Sequence, residues 1–327
     1  MRAFTLASQC CQGIVPMSQT VKAAIVQTGS ILFDTDATLE AMKAHVADAA
    51  KAGAELIVFP EAYIGGYPKG HDFGARVGSR SPEGRDWFAR YFEAAIDVPG
   101  KACAQMGEMA RVASAWLVVG VIEREGGTLY CSVLTFAPDG SLANQRRKLM
   151  PTAMERLIWG FGDGSTLDVT QTPFGPMSAL ICWENFMPLA RSAFYAQHPV
   201  IHCAPTVDDR ENWLSLMRTI AMEGRCFVLS ANQYFTRGMA PKDFHPIQGE
   251  SADTVLINGG SCIISPLGEL IAGPVFGKET ILTADLDLTD NARGKFDFDP
   301  AGHYARPDVF QLQVNTTRQG IAKFEAD

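Results

Sequence analysis

The sequence predicts an α/β sandwich with a largely buried sheet. Two observations carry that prediction. The chain opens as strand, helix and strand within about forty residues, a βαβ pattern that calls for helices layered against a sheet. Its later strands are short, nearly unbroken apolar runs, such as Leu56–Phe59, Trp116–Ile122 and Met177–Ile181, as expected where a sheet is covered on both faces.

Taken in order, Lys22–Gln27 is the first strand. Asp36–Ala52 follows as a helix: Leu39, Met42, Val46 and Ala49 recur at helical spacing, Asp34 or Thr35 caps the start, and Gly53 ends it. Leu56–Phe59 is the second strand, and it runs into Pro60-Glu61-Ala62-Tyr63 and then Gly65-Gly66-Tyr67-Pro68. Helices are expected over Trp87–Ala95 and Lys101–Ala113, and a strand over Trp116–Ile122. Pro138-Asp139-Gly140 is hairpin chemistry between Leu129–Phe136 and Ser141–Arg147. Further strands are expected over Thr166–Val169, Met177–Ile181, Val200–Cys203 and Cys226–Ala231, with a helix over Asn212–Glu223. Gly259–Ser265 and Thr280–Leu286 read as a final strand pair. Three parts result: an N-terminal extension over 1–20, a body over 21–286, and a Gly-, Pro- and Asp-rich tail over 287–327 that is expected to be extended and to lean on a neighbour.

Composition narrows the function. The 327 residues are 47% hydrophobic and 20% charged, which suits a globular chain with a substantial core. Lys and Arg number 28 against 36 Asp and Glu, a formal charge of −8 with no basic block, so no nucleic-acid partner is expected. No apolar run is long enough to span a membrane, and the first sixteen residues are too interrupted for a signal peptide. The eight cysteines form no CxxC pair, which argues for a reducing cytoplasm over a disulfide framework or zinc site. The six histidines are scattered, so neither a metal nor another cofactor is expected; spacing alone leaves a papain-like Cys/His pair open. Neither GxSxG nor HExxH occurs.

Three residues stand out at strand ends. The Met177–Ile181 run ends on Cys182, after which Glu184, Asn185 and Pro188 open a helix-like segment. Free backbone N–H groups and a helix dipole at such a handover favour a thiolate, although a cysteine is also a common core residue. Glu61 lies at the carboxyl end of a buried strand, where α/β sheets place their sites. Lys148 ends the Arg146-Arg147-Lys148 run; the two arginines read as a solvated strand end, while Leu149, Met150 and Pro151 turn Lys148 inward. The glycines of Trp159-Gly160-Phe161-Gly162-Asp163-Gly164 suggest a closely packed loop, and no GK[ST] follows to make it a phosphate cradle.

The residues around these three positions resemble the nitrilase superfamily. FPEAYIGGYP at Glu61, RRKLMPT at Lys148, ERLIWGFGDGS from Glu155, CWENFMPLAR at Cys182 and AMEGRCFVLSANQ over 221–233 occur in order within residues 21 to 286. Cys182 followed by Trp183-Glu184-Asn185 resembles the true nitrilase branch. The resemblance implies a four-layer αββα sandwich that pairs into a dimer, and a Cys182–Glu61–Lys148 triad assisted by Glu155. It further implies hydrolysis of an organic nitrile to acid and ammonia without a cofactor. Trp183, Trp159, Tyr67 and Thr152 are the candidate pocket walls, and Glu184 and Asn185 support the site from behind. An amidase or carbamoylase, and a cyanide hydratase or dihydratase, are alternatives on the same fold; a non-catalytic scaffold is disfavoured by the intact triad. The aromatic residues of the tail, with the resemblance, imply a homodimer or larger homo-oligomer.

Overall fold

The computed structural model describes residues 20–320 and 322, so the expected N-terminal extension lies, except for Thr20, outside the described residues. In chain order the elements are β1 (Thr20–Gln27), α1 (Thr35–Lys51), β2 (Leu56–Val58), the ribbon β3 (Ala75–Arg76) and β4 (Ser79–Arg80), α2 (Pro82–Ala94), β5 (Ile96–Asp97) and α3 (Lys101–Ala113). A meander follows: β6 (Trp116–Glu125), β7 (Thr128–Phe136) and β8 (Leu142–Arg147). After α4 (Glu155–Ile158) come β9 (Thr170–Thr172), β10 (Gly175–Ala179), α5 (Pro188–Tyr195), β11 (Ile201–Cys203), α6 (Glu211–Gly224) and β12 (Phe227–Ser230). The chain closes with β13 (Tyr234–Thr236), β14 (Val255–Ile264), β15 (Leu270–Phe276), β16 (Thr280–Asp287) and α7 (Thr289–Gly294).

These strands make two large sheets. One has the order β16–β1–β2–β6–β7–β8, with β5 beside β6; the other has β13–β14–β12–β11–β10–β9, with β15 beside β14. Alternation along each strand sorts side chains into separate cores. Val21, Ala23 and Ile25 of β1, with Leu56, Val58 and Val118, face the second sheet and meet Met177, Ile201, Phe227 and Leu229. Ala24 and Val26 point the opposite way, with Ile57, Leu117 and Val119, onto Leu39, Met42 and Val46 of α1 and Met106 and Ala110 of α3. A third core joins Trp213, Met217 and Ile220 of α6 to Val228, Cys262 and Ile264. Three cores separate four layers, so the fold is the expected αββα sandwich. Of the two candidate caps for α1 it is Asp34 that acts, its carboxylate accepting from the Ala37 N–H at 2.9 Å.

Some expectations fail for local reasons. Thr166–Val169 is not a strand: the Asp163 carboxylate accepts from the Ser165 N–H at 2.9 Å, turns the backbone into a short 3-10 segment, and delays the strand to Thr170. Gly259–Ser265 and Thr280–Leu286 lie in strands that do not pair with each other. β16 crosses to lie antiparallel to β1, from Thr20 opposite Asp287 to Gln27 opposite Thr280, whereas β14 pairs with β12, β13 and β15 in the second sheet. An apolar pattern marks a strand without naming its partner. The segment after Asp287 is not wholly extended either: α7 docks through Asn291, whose amide donates to Val200 O at 3.0 Å and Arg225 O at 3.1 Å.

Candidate active site

Glu61 is placed by a crossing of chains. The Phe59 N–H donates to Val118 O, and the backbone then passes over β6 at Gly120, whose N–H donates to Pro60 O at 3.1 Å. A Cβ at Gly120 would lie 2.6 Å from the Glu61 Cα, so only glycine permits so close an approach. From the second sheet the Gln233 amide donates to Glu61 O at 2.8 Å. The carboxylate is buried between the sheets.

Lys148 is placed by the alternation of β8. Arg147 points outward to Glu123 and Glu125, its guanidinium 3.8 Å from the centre of the Tyr130 ring. Arg146 shares the inner face with Lys148, which corrects the expectation that it ends a solvated strand. It is 2% exposed, ion-paired with buried Glu184, and its Nε donates to Ala179 O at 2.9 Å. Glu184 also accepts from the Leu149 N–H at 2.6 Å and the Ile181 N–H at 2.8 Å, which ties the Lys148 segment to the Cys182 segment. The Lys148 N–H extends the ladder to Cys131 O at 2.8 Å, and the glycine loop packs behind it through Gly162 N–H to Lys148 O at 2.8 Å.

The buried Lys148 ammonium donates to Glu61 Oε1 and Glu155 Oε2, each at 2.7 Å. Glu155, opening α4, also accepts from the Thr152 N–H at 2.7 Å and the Tyr67 hydroxyl at 2.8 Å. The Trp159 ring lies 5.5 Å from the ammonium. Tyr67, Trp159 and, through its backbone, Thr152 are therefore gathered at the cluster. Trp183 is not among them: its indole N–H donates to Asp208 at 2.8 Å, the Arg210 guanidinium lies 4.8 Å from its ring, and 40% of the residue is exposed.

Cys182 arrives from the second sheet. β10 stops at Ala179, earlier than expected, but Leu180 N–H to Cys203 O at 3.1 Å and Cys182 N–H to Pro205 O at 2.8 Å carry the parallel pairing onward. Cys182 has φ of 49°, a left-handed backbone that costs a side-chain-bearing residue about 1–2 kcal/mol. It begins a 3-10 turn over Cys182–Phe186, and α5 starts only at Pro188. The sulfur accepts from the Thr206 hydroxyl at 3.2 Å. Among the described residues the Trp183 backbone N–H has no hydrogen-bond partner.

Electrostatics corrects the expected thiolate. Burial, followed by the Glu61 charge, pushes the Cys182 thiol well above its ordinary pKa; Lys148 and the Thr206 hydroxyl pull it down without cancelling the rise. Burial likewise raises the Glu61 carboxyl; the Lys148 charge opposes this, Glu155 adds to it, and the hydrogen bond from Lys148 lowers it. Burial works against the Lys148 charge, yet the Glu61 and Glu155 carboxylates hold its pKa well above the usual lysine value. The resting cluster is thus a thiol beside a carboxylate of increased proton affinity and a fixed ammonium. Glu61 Oε2 is buried without a hydrogen bond among the described residues, open to accept that thiol proton.

Sequence reasoning misses three members of this site. Thr206 follows β11 at the same carboxyl edge as Cys182, and the strand-end rule that marks Glu61 could have found it. Gln233 closes the last quoted motif with no chemistry visible in its type. Cys131, mid-strand and 3.6 Å from Glu61 Oε1, carries no signal.

The carbon–nitrogen hydrolase family model matches residues 22–295. An aliphatic nitrilase of Sinorhizobium fredii is 55% identical over 294 residues, which span 90% of this chain and 95% of that protein. A bifunctional nitrilase/nitrile hydratase of Lupinus angustifolius is 51% identical over 300 residues, 90% of this chain and 86% of the relative. Nitrilase 1 of Arabidopsis thaliana is 49% identical over 310 residues, 93% and 89% of the two chains. Among solved structures, a carbon–nitrogen hydrolase of Helicobacter pylori superposes with a TM-score of 0.68 at 20% identity, covering 89% of this chain and 97% of that one. The NitFhit protein of C. elegans superposes at 0.69 and 18% identity, covering 92% and 69%. At such identities the likeness is one of fold.

Proposed function

The chain belongs to the carbon–nitrogen hydrolase family, in the nitrilase branch of its superfamily, and from that premise we propose that it hydrolyses an organic nitrile to the carboxylic acid and ammonia. The observation that carries this reading is the buried cluster in which Lys148 bonds both Glu61 and Glu155 beside the Cys182 thiol.

A nitrile carbon is a poor electrophile, so attack needs both a thiolate and a proton for nitrogen. Glu61 takes the Cys182 proton as sulfur bonds to the nitrile carbon, and the proton passes to nitrogen to give a thioimidate. The Lys148 ammonium and the Trp183 N–H are the donors for charge building on that nitrogen. Water, deprotonated by Glu61, adds to the thioimidate carbon and leaves a tetrahedral centre bearing OH, NH2 and sulfur. Protonation of that nitrogen and breakage of the C–N bond release ammonia and leave a thioester. A second water breaks the C–S bond, frees the acid and restores the thiol. Breaking the C–S bond at the tetrahedral centre would release the amide instead. Glu155 keeps Lys148 and the substrate in place, with Tyr67 and Trp159 as aromatic walls.

The setting is a reducing cytoplasm, which suits six described cysteines that are all free. Among the described residues no helix is long and apolar enough to cross a membrane. A homodimer or larger homo-oligomer suits a chain that leaves Leu189, Phe296 and Phe310 at 69%, 88% and 77% exposure. The test is ammonia release from benzonitrile, phenylacetonitrile, a dinitrile, cyanide and a matching amide, with wild type and Cys182→Ala in parallel. Turnover of at least one organic nitrile, lost in a Cys182→Ala protein with an unchanged circular dichroism spectrum, is expected. Turnover of the amide or cyanide alone, or full activity without the thiol, overturns the reading.

A further inference from the structure

Behind the nucleophile lies a chain of buried polar groups that the reaction above does not use. Asn185 sits on the 3-10 turn, and its Nδ2 donates to Leu180 O at 2.9 Å and to Cys182 O at 2.8 Å. Two carbonyl acceptors fix which way the amide faces, so Oδ1 is the atom 2.8 Å from His202 Nε2. An acceptor opposite Nε2 requires the proton there. Nδ1 is then the bare nitrogen, and the Ser178 hydroxyl, at 2.8 Å, donates to it. The imidazole is neutral, because burial, Arg146 and Arg191 push its pKa down to about 3. Ser178 and His202 are directly opposed across the β10–β11 pair, so the chain is built on the sheet rather than on a loop. The Arg191 guanidinium anchors its near end by donating to Asn185 O at 2.7 Å.

We propose that Ser178, His202 and Asn185 form a one-way hydrogen-bond relay that positions the Cys182–Trp183 peptide and aims the Trp183 N–H at the substrate atom gaining negative charge. The inference rests on the reading of Cys182 as the nucleophile. The physical reason lies in the peptide itself. Its carbonyl and N–H point opposite ways across a trans bond, so holding Cys182 O on the Asn185 amide turns the N–H to the other side. The Trp183 N–H has no other partner among the described residues. Asn185 also spans both flanks of Cys182, bonding the carbonyls of Leu180 and Cys182, and so opposes relaxation of its left-handed backbone. None of the three touches substrate; they are positioning residues.

Two reactions of the same thiol separate aim from mere stability. Attack on a nitrile builds charge on nitrogen and needs the N–H, whereas displacement of iodide from iodoacetamide builds charge on the departing iodide. In His202→Phe and Asn185→Ala, single-turnover acylation by a nitrile is expected to fall on the order of 100-fold, the usual effect of one lost oxyanion donor, with alkylation by iodoacetamide unchanged. His202→Gln keeps an N–H for Asn185 Oδ1 and recovers most of the loss. Equal loss in both reactions, or in neither, overturns the relay. If the larger substitutions do not fold, Ser178→Ala gives the same selective loss in smaller measure. 15N NMR of the wild-type imidazole near neutral pH is expected to show a proton on Nε2 and a bare Nδ1, and the reverse tautomer overturns the relay. A wild-type enzyme alkylated at Cys182 but never acylated by any nitrile would instead remove the reading of Cys182, and the relay with it.

Discussion

Glu61 and Glu155 both bond the Lys148 ammonium at 2.7 Å, and their remaining oxygens set them apart. Glu61 Oε2 is unpartnered among the described residues, while Glu155 Oε1 takes the Tyr67 hydroxyl and its Oε2 also takes the Thr152 N–H. Glu61→Gln should therefore fail before any covalent adduct forms, with a loss of about 10²- to 10⁴-fold as for a general base. Glu155→Gln should form the adduct and turn it over slowly. Intact-mass spectrometry after mixing with nitrile distinguishes the two, and a normal adduct accumulating in Glu61→Gln would sink the assignment of the base. His202 offers a test by pH. Its pKa falls from 6.5 to about 3 in the fold, so below 6.5 the unfolded chain binds a proton that the fold refuses. This contribution to stability is whole above 6.5 and is lost as pH falls toward 3, at about 1.4 kcal/mol per pH unit. Urea unfolding between pH 6.5 and pH 5 should show a loss of about 2 kcal/mol in wild type that His202→Gln lacks. Identical pH dependence in both proteins would refute it. Glu61, Lys148 and Cys182 are legible in the sequence because each ends a strand beside turn or proline chemistry. His202 is not, since one histidine in an apolar strand looks the same whether it relays a hydrogen bond or fills space.

At the scale of elements, β8 shows what a pattern contains and where it stops. Arg146-Arg147-Lys148 looks like a solvated end when read as composition, yet period-two alternation already puts Arg146 and Lys148 on one face. What the pattern omits is that the second sheet covers that face and supplies Glu184. The same gap explains β16, whose apolar run is plain and whose partner β1 lies at the other end of the chain. The Arg146–Glu184 pair holds Ala179, Ile181 and Leu149 together, so it fixes the distance between the ammonium and thiol segments. Arg146→Met should cost about 3–5 kcal/mol by leaving Glu184 buried and unpaired, and the added change Glu184→Leu should restore part of that stability. Activity should not return with it, because the backbone N–H groups of Ile181 and Leu149 remain without their acceptor. Guanidinium unfolding with parallel nitrile assays checks both statements; recovery of stability and activity together would show that the pair has no positioning role.

For the whole molecule, the tail divides its loyalties. The Arg225 guanidinium lies 5.4 Å from the centre of the Phe298 ring, and the Gln319 N–H donates to Asp163 at 2.7 Å, so parts of it rest on their own chain. Phe296 and Phe310 remain in solvent, where covering each would gain about 1.5–3 kcal/mol. We expect a second copy to provide that cover. A chain ending after Lys295, which keeps α7, should give a smaller assembly by light scattering and lower activity. An unchanged subunit number and unchanged turnover would deny the tail a part in assembly. The pairing of β1 with β16 has a consequence for how the protein is made. The sheet that carries Glu61 and Lys148 stays open until Thr280–Asp287 has been synthesised and docks along Thr20–Gln27, and Cys182 leaves the ribosome well before that. A chain stopped short of Thr280 leaves the backbone groups of β1 along an open sheet edge. The sheet behind Glu61 and Lys148 is complete only when the first and last strands of the sandwich have met.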